Sequence, residues 1–167
     1  MSVPAGKRKK NELEAEVRAK NLAAYTTKIM ANPKKFDPKY TDVLGNKIID
    51  SAHEIYLNTK RGNELYVIKV STSIPFFDDV AWKARKEFQR QALYECDRLL
   101  MYIEMAKSVY TDEDVKGHRP RINYAAWGRM AAETKKVIKG WTVADLRNMT
   151  RERKRMEALG QVRSGSP

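Results

Sequence analysis

Histidine, cysteine and clustered carboxylates are the side chains of this sequence that could act as metal ligands, nucleophiles or proton carriers. His53 and His118 lie far apart, and Cys96 is the single cysteine. Together they do not have the spacing of a metal-binding motif. The acidic run at 112–114 has no opposing ligands nearby, so we interpret it as a solvated loop. A glycine-rich phosphate loop is also missing from the sequence. We therefore expect no enzyme, no metal and no cofactor.

The individual reactive and aromatic residues have simpler structural interpretations. Cys96 falls on an apolar helical stripe, which predicts an inert core thiol. His53 lies beside another apolar stripe, which predicts a half-buried structural histidine. Tyr124, Trp127 and Trp141 could stack on nucleic-acid bases, but their spacing puts them on one helix face and favours core packing. Three further aromatic residues are candidates for stacking at the surface: Tyr40, Tyr66 and Tyr94.

Positive charge is the strongest functional signal. The chain carries 33 Lys and Arg against 21 Asp and Glu, a formal net charge of +12. Such an excess attracts polyanions, and nucleic acid is the first candidate. Lysine and arginine contact phosphates, which position a nucleic acid without reading its sequence. The candidate contacts form three clusters, in order of preference: Lys135, Lys136 and Lys139 with Arg119, Arg121 and Arg129; then Lys34, Lys35, Lys39 and Lys47; then Arg151, Arg153, Lys154 and Arg155.

Four amphipathic helices are predicted to position these charges. The first ends before Pro33, because proline disfavours helix in the residue before it. The second covers about 41–61, and the fourth ends at Trp141. The third, at about 79–110, has the clearest pattern, with apolar residues stepping by three and four. The fold class is therefore all-α: an antiparallel up-down four-helix bundle with basic N- and C-terminal extensions.

Two segments outside this pattern are harder to interpret. Residues 65–74 are rich in β-branched side chains, but a lone strand has no partner, so we predict a connector or a helix extension. Thr142 and Asp145 resemble a capping box with Asp in place of Glu, which predicts a new helix start. The predicted organisation is a basic flexible tail at 1–10, the bundle at 11–141, a short basic helix at 142–158 and a flexible tail at 159–167.

The sequence also predicts the cellular compartment of the protein. Residues 1–20 have no apolar core of the kind found in signal peptides. No apolar run approaches the roughly 20 residues that a membrane helix needs. A single cysteine is typical of a reducing compartment. We expect a cytoplasmic protein without a membrane partner.

A recurring pattern begins at the start of the second helix. It consists of a Phe, a Pro with basic residues, a Leu-Gly-polar-basic-Ile run and an aliphatic helix, followed much later by a Gly-Trp pair. The positions that carry it are Phe36, Leu44, Gly45, Asn46, Lys47, Ile48, Ile55, Asn58, Gly140 and Trp141. This pattern resembles a bacterial family of small four-helix bundles, and the resemblance covers roughly residues 20–145. The family includes the accessory variability determinants of diversity-generating retroelements and the proteins encoded within ribosomal RNA intervening sequences.

The resemblance implies a homopentamer that binds a reverse transcriptase and its template RNA during mutagenic reverse transcription. RNA is the leading nucleic-acid partner, with DNA as the alternative. Trp82, Leu100 and Met101 are candidates for subunit contacts, because the helices carry more apolar surface than a slender bundle needs. The runner-up function is a structural scaffold of the ribosomal intervening-sequence type, whose charge only aids solubility. A small enzyme is the third alternative.

Overall fold

The computed structural model describes residues 10–109 and 122–164, which are mostly helical with a small three-stranded sheet. The predicted end of the first helix and bounds of the third are confirmed within a few residues, and the second continues three residues beyond its predicted end. A 3-10 turn, Pro38–Tyr40, and a π turn, Thr41–Gly45, lead into the second helix. The helices are α1 (Lys10–Met30), α2 (Asn46–Glu64), α3 (Asp79–Val109) and α4 (Tyr124–Ala158).

The small sheet corrects the prediction for residues 65–74. β1 (Ile68–Ser71) pairs antiparallel with β2 (Ile74–Asp78), and β2 pairs parallel with β3 (Val162–Arg163). The hairpin turns at Thr72 and Ser73, which have φ values of 47° and 69°. The prediction of a connector or helix extension is wrong because the partner strand begins only three residues after β1 ends.

The sheet also corrects the prediction of a flexible tail after α4. The predicted flexible tail at 159–167 is wrong for its first part, since Val162 and Arg163 form β3. Residues 165–167 lie outside the described residues. The same is true of the predicted tail at 1–10, apart from Lys10, which begins α1.

The main core lies between the four helices. α1 packs against α2 and α4, and α3 packs against α2 and α4. Trp127 is fully buried, and its indole nitrogen donates to Thr26 Oγ1 at 3.0 Å. Trp141 packs closely over α2, where a Cβ on Gly62 would lie 2.9 Å from the indole Cη2. The predictions that Cys96, Trp127 and Trp141 belong to the core are confirmed.

A second, smaller core joins the sheet to the helices. Val67, Phe77, Trp82 and Met156 form it, so it unites β2, α3 and the end of α4. Trp82 is only 6% exposed, so its predicted role at a subunit contact is wrong. Among the other two subunit-contact candidates, Leu100 is half-buried against the main core and Met101 is exposed.

The fourth helix does not end at Trp141. α4 is one helix of 35 residues, about 50 Å long, so the separate short helix predicted at 142–158 is wrong. The predicted capping box does not form, because Thr142 Oγ1 donates back to the Ile138 carbonyl at 3.0 Å. Asp145 instead faces the interior, 2% exposed. Its carboxylate accepts from Arg85 Nε at 2.6 Å, from Arg85 Nη2 at 3.0 Å and from Gln89 Nε2 at 2.7 Å.

Arg85 is the centre of a buried polar network. Its Nη2 also donates to Glu12 Oε1 at 2.7 Å, and its Nη1 donates to the Leu65 carbonyl at 3.2 Å. The guanidinium carbon lies 5.5 Å from the Trp141 ring centroid. Burial alone would lower the pKa of Arg85, but the hydrogen bond with Asp145 and the charges of Asp145 and Glu12 raise it above its ordinary value.

The buried network of Arg85 predicts how substitutions at Asp145 and at the surface change the free energy of unfolding. Asp145→Asn removes the charge that compensates buried Arg85, so the free energy of unfolding should fall by about 3 kcal/mol. Asp97→Asn is the matched control, because Asp97 pairs with Lys135 at the surface and should contribute no more than about 1 kcal/mol. Urea unfolding followed by circular dichroism measures both. Equal losses in the two variants would contradict the central role of the buried pair.

Candidate nucleic-acid interface

The solvent-facing side of α4 carries a line of basic residues. Arg129 and Arg147 are 18 residues apart, as are Lys136 and Lys154, and 18 residues make about five helical turns. All four therefore share one face, opposite the buried side chains of Trp127 and Asp145. Lys139 and Arg151 flank them. We call the six exposed residues the outer stripe of α4, which is about 38 Å long: Arg129, Lys136, Lys139, Arg147, Arg151 and Lys154.

The stripe residues differ from their basic neighbours in their ion pairs. Within residues 10–109 and 122–164, none of the six forms an ion pair. By contrast, Lys135 is half-buried and lies 2.5 Å from Asp97 on α3. A cation that already has a carboxylate partner is a weaker attractor for phosphate. Lys135 is therefore expected to bind phosphate less well than Lys136 and Lys139.

Two of the four basic residues predicted near the end of α4 are also paired. Arg153 donates to Asp79 Oδ1 at 3.0 Å and to Glu157 Oε2 at 3.3 Å. The hydrogen bond from Arg153 lowers the pKa of Asp79 below its ordinary value. Arg155 lies 2.8 Å from Glu152. Arg153 thus attaches the last turns of α4 to the start of α3, which leaves Arg151 and Lys154 for the outer stripe.

The second predicted cluster lies on the connection between α1 and α2 and on the first turn of α2. Lys34, Lys39 and Lys47 are exposed, and Lys35 is half-buried. Lys39 lies 3.5 Å from Asp37 and 4.8 Å from the Tyr40 ring centroid. Its hydrogen bond with Tyr40 raises the pKa of Lys39. Three members of this cluster lie on the irregular connection and Lys47 lies in the first turn of α2, so the cluster does not have the regular spacing of the basic residues on α4.

The apolar residues of the motif at the start of α2 have packing roles. Phe36, Leu44, Ile48 and Ile55 are all buried in the main core. A Cβ on Gly45 would lie 3.0 Å from Phe36 Cε1, so glycine lets the phenyl ring pack against the first turns of α2. These packing contacts explain how the connection folds back on α2.

The residues considered for chemistry are dispersed. Cys96 is buried, and burial raises the pKa of its thiol to about 12. His53 is exposed, so the half-buried position predicted for it is wrong. Its Nε2 lies 2.9 Å from Thr27 Oγ1 at the groove between α1 and α2. In the part of the chain that the structure describes, no three His, Cys, Asp or Glu side chains are placed to hold a metal ion.

Several predicted residues lie outside the described ranges. They are Arg119, Arg121, His118 and the acidic run at 112–114. Of the aromatic residues predicted as surface stackers, only Tyr94 is clearly exposed, at 56%, while Tyr40 and Tyr66 are half-buried. Arg147 was not among the predicted contacts. The sequence shows that Arg147 and Lys154 are seven residues apart, but this spacing places them on one helix face only if α4 is continuous.

Comparison with known proteins gives no relative. No protein-family model, curated protein or solved structure matches the chain. The helices within 10–109 and 122–164 include none that combines the length and the apolar composition required to cross a bilayer. The function is therefore inferred from the residues of the chain and their geometry.

The environment of Cys96 gives a direct chemical prediction. A thiol with a pKa raised to about 12 is almost entirely protonated at mildly alkaline pH, and the thiolate is the reactive form. The folded protein should leave a chromogenic disulfide reagent unreacted, whereas the protein in denaturant should react at its single cysteine. Rapid reaction of the folded protein would contradict the inert core position.

Proposed function

We propose that this protein is a non-enzymatic nucleic-acid-binding protein and that the outer stripe of α4 is its main contact surface. The observation that carries the proposal is six exposed cations on one helix face, none in an ion pair within the described residues. Exposed cations of this kind bind the phosphates of a nucleic acid, and binding releases the counterions that were condensed on those phosphates. The net charge of +12 adds a long-range attraction toward any polyanion.

We also propose that the four helices form an antiparallel up-down bundle. Hydrogen bonds between opposite helix ends support it. Asn63, near the end of α2, donates to the Glu12 carbonyl near the start of α1 at 3.0 Å. Trp127, near the start of α4, bonds to Thr26 near the end of α1. Arg85, near the start of α3, bonds to Asp145 in the second half of α4. In this arrangement α4 presents the stripe along one corner of the bundle.

The partners follow from the resemblance together with the charge. We propose RNA as the leading nucleic acid, with DNA as the alternative, a reverse transcriptase as the protein partner and the cytoplasm as the location. An adjacent reverse-transcriptase gene beside a repeated template region would support this setting. Its absence would favour the runner-up, a scaffold of the ribosomal intervening-sequence type that makes only protein contacts.

Self-association, with a pentamer as the expected assembly, is part of the same proposal. The outer face of α3 exposes Tyr94, Met101 and Met105, which are spaced by seven and four residues and so form a seam along the helix. Five copies of a chain with a net charge of +12 would carry about +60. Such a ring would bind polyanions far more strongly than one copy.

Salt titration tests the nucleic-acid proposal. Lys136→Gln combined with Lys139→Gln should weaken RNA binding and flatten the slope of log affinity against log salt, by about 0.7–0.9 for each phosphate that the variant no longer neutralises. Lys20→Gln combined with Lys28→Gln is the matched control, because these lysines line the groove between α1 and α2. The control should keep most of the slope, and both variants should keep the helical signal.

Two results would count against the proposal. If the α4 variant and the control bind RNA alike across the titration, the contact surface lies elsewhere. If the parent protein shows no salt-sensitive binding to RNA or DNA, the nucleic-acid function fails and the scaffold alternative gains support.

Sedimentation equilibrium tests the assembly. The parent protein should be oligomeric at tens of micromolar, and Tyr94→Glu with Met101→Glu should shift it toward monomer by placing charges in the apolar seam. Leu13→Glu with Val17→Glu is the control, since these exposed side chains lie on α1. A parent protein that sediments as a monomer would reject self-association.

A further inference from the structure

We infer that the outer stripe of α4 binds a double-helical nucleic acid by spanning one groove, with its two halves contacting phosphates on opposite strands. The inference rests on the proposed function and names the class of nucleic acid. It follows from the distribution of charge along the helix, from a glycine at its centre and from the convex shape of the surface.

The positive charge of the stripe is divided into two halves. Three residues form the N-terminal half (Arg129, Lys136 and Lys139), and three form the C-terminal half (Arg147, Arg151 and Lys154). Lys139 and Arg147 are eight positions apart, which is a rise of about 12 Å along the helix. Gly140 and Val143 lie exposed between the halves and carry no charge. The gap is close to the width of about 12 Å of the major groove of B-DNA, and the minor groove of an RNA duplex is also wide and shallow.

Gly140 gives independent support for a close approach at this gap. Glycine in the interior of an exposed helix destabilises it relative to alanine. Nothing in the described structure requires it here, because a Cβ on Gly140 would meet no atom within 4 Å. A Cβ on Gly62 or Gly45 would press on aromatic rings, whereas Gly128 of α4 is as open as Gly140. Gly140 differs from Gly128 in that it is exposed between the two charged halves, where a bare backbone allows another molecule to come close.

The shape and composition of the surface favour a duplex over a single strand. Proteins that hold single strands combine a positively charged groove with aromatic side chains on which the bases stack. The outer stripe is a convex ridge, and the aromatic residues of α4 are at least half-buried on its other face. A duplex, in contrast, offers two rows of phosphates at a fixed separation. The stripe, about 38 Å long, covers about one duplex turn of 34–36 Å.

The same composition predicts that binding is independent of sequence. Bases are read by side chains that reach into a groove, most often Arg, Asn or Gln. The residues that would face the groove are Gly140 and Val143, which offer no side-chain hydrogen bond. Contacts to phosphate alone position the duplex without identifying it.

Fluorescence anisotropy with labelled oligonucleotides tests the inference. The probes are an RNA duplex, a DNA duplex and the unpaired strands of each, all equal in length and compared at one salt concentration. We expect at least one duplex to bind about tenfold more tightly than its own strands, a difference of about 1.4 kcal/mol, and scrambled duplex sequences to bind alike. Affinity should drop when the duplex is shorter than about one turn.

Single strands that bind as tightly as both duplexes would overturn the inference and leave the proposed function intact. Loss of salt-sensitive binding by every probe would overturn the proposed function itself. The two failures are therefore distinguishable in one experiment.

A variant at the gap tests the spanning geometry without changing any charge. Gly140→Leu should lower duplex affinity several-fold and leave single-strand affinity and the salt slope unchanged, because the bulk would hold the duplex away from the backbone. Gly140→Ala is the control for folding, since alanine is the better helix former and adds little bulk. Unchanged duplex affinity in Gly140→Leu would overturn the close approach at the gap.

Discussion

The buried guanidinium of Arg85 is the constraint on which the packing of α1 and α4 against the start of α3 depends. An arginine 6% exposed would cost several kcal/mol to desolvate without partners. Asp145 accepts two hydrogen bonds from it, and Glu12 and the Leu65 carbonyl accept one each. These partners lie on α4, on α1 and just after α2. One side chain therefore fixes where three other parts of the chain lie relative to α3.

The same interaction explains why α4 continues. Asp145 can reach Arg85 only if the helix persists through Gly140 and Thr142, two residues that would otherwise favour an end or a restart. Beyond this point Met156 packs against Phe77 and Trp82, and Arg153 pairs with Asp79. The last turns of α4 are therefore attached to α3 and the sheet. Their exposed cations stay in register with those of the first turns, which a break at residue 142 would have prevented.

The parts of the fold that sequence reasoning predicted are those encoded locally. The apolar steps of α3 and the proline after α1 each act within a few residues, and both boundaries were predicted closely. The errors concern partners that lie farther away. Arg85 and Asp145 are 60 residues apart, and β2 pairs with a strand from the end of the chain. The Thr142 and Asp145 pattern is compatible with a cap or with a buried ion pair, and only the distant arginine decides between them.

The same distinction applies to the candidate site: some of its features can be predicted from local sequence, and others depend on residues that are distant in the chain. The abundance of lysine and arginine is visible in the sequence, but which of them remain available depends on carboxylates elsewhere. Lys135 is held by Asp97 and Arg153 by Asp79, both on α3, whereas Lys136 and Lys154 point to solvent from the same helix. Surface ion pairs of this kind contribute little to stability, yet they reduce the field that a phosphate would meet. The packing of α4 on α3 thus sorts its basic residues into one set that attaches the helix and another set that faces outward.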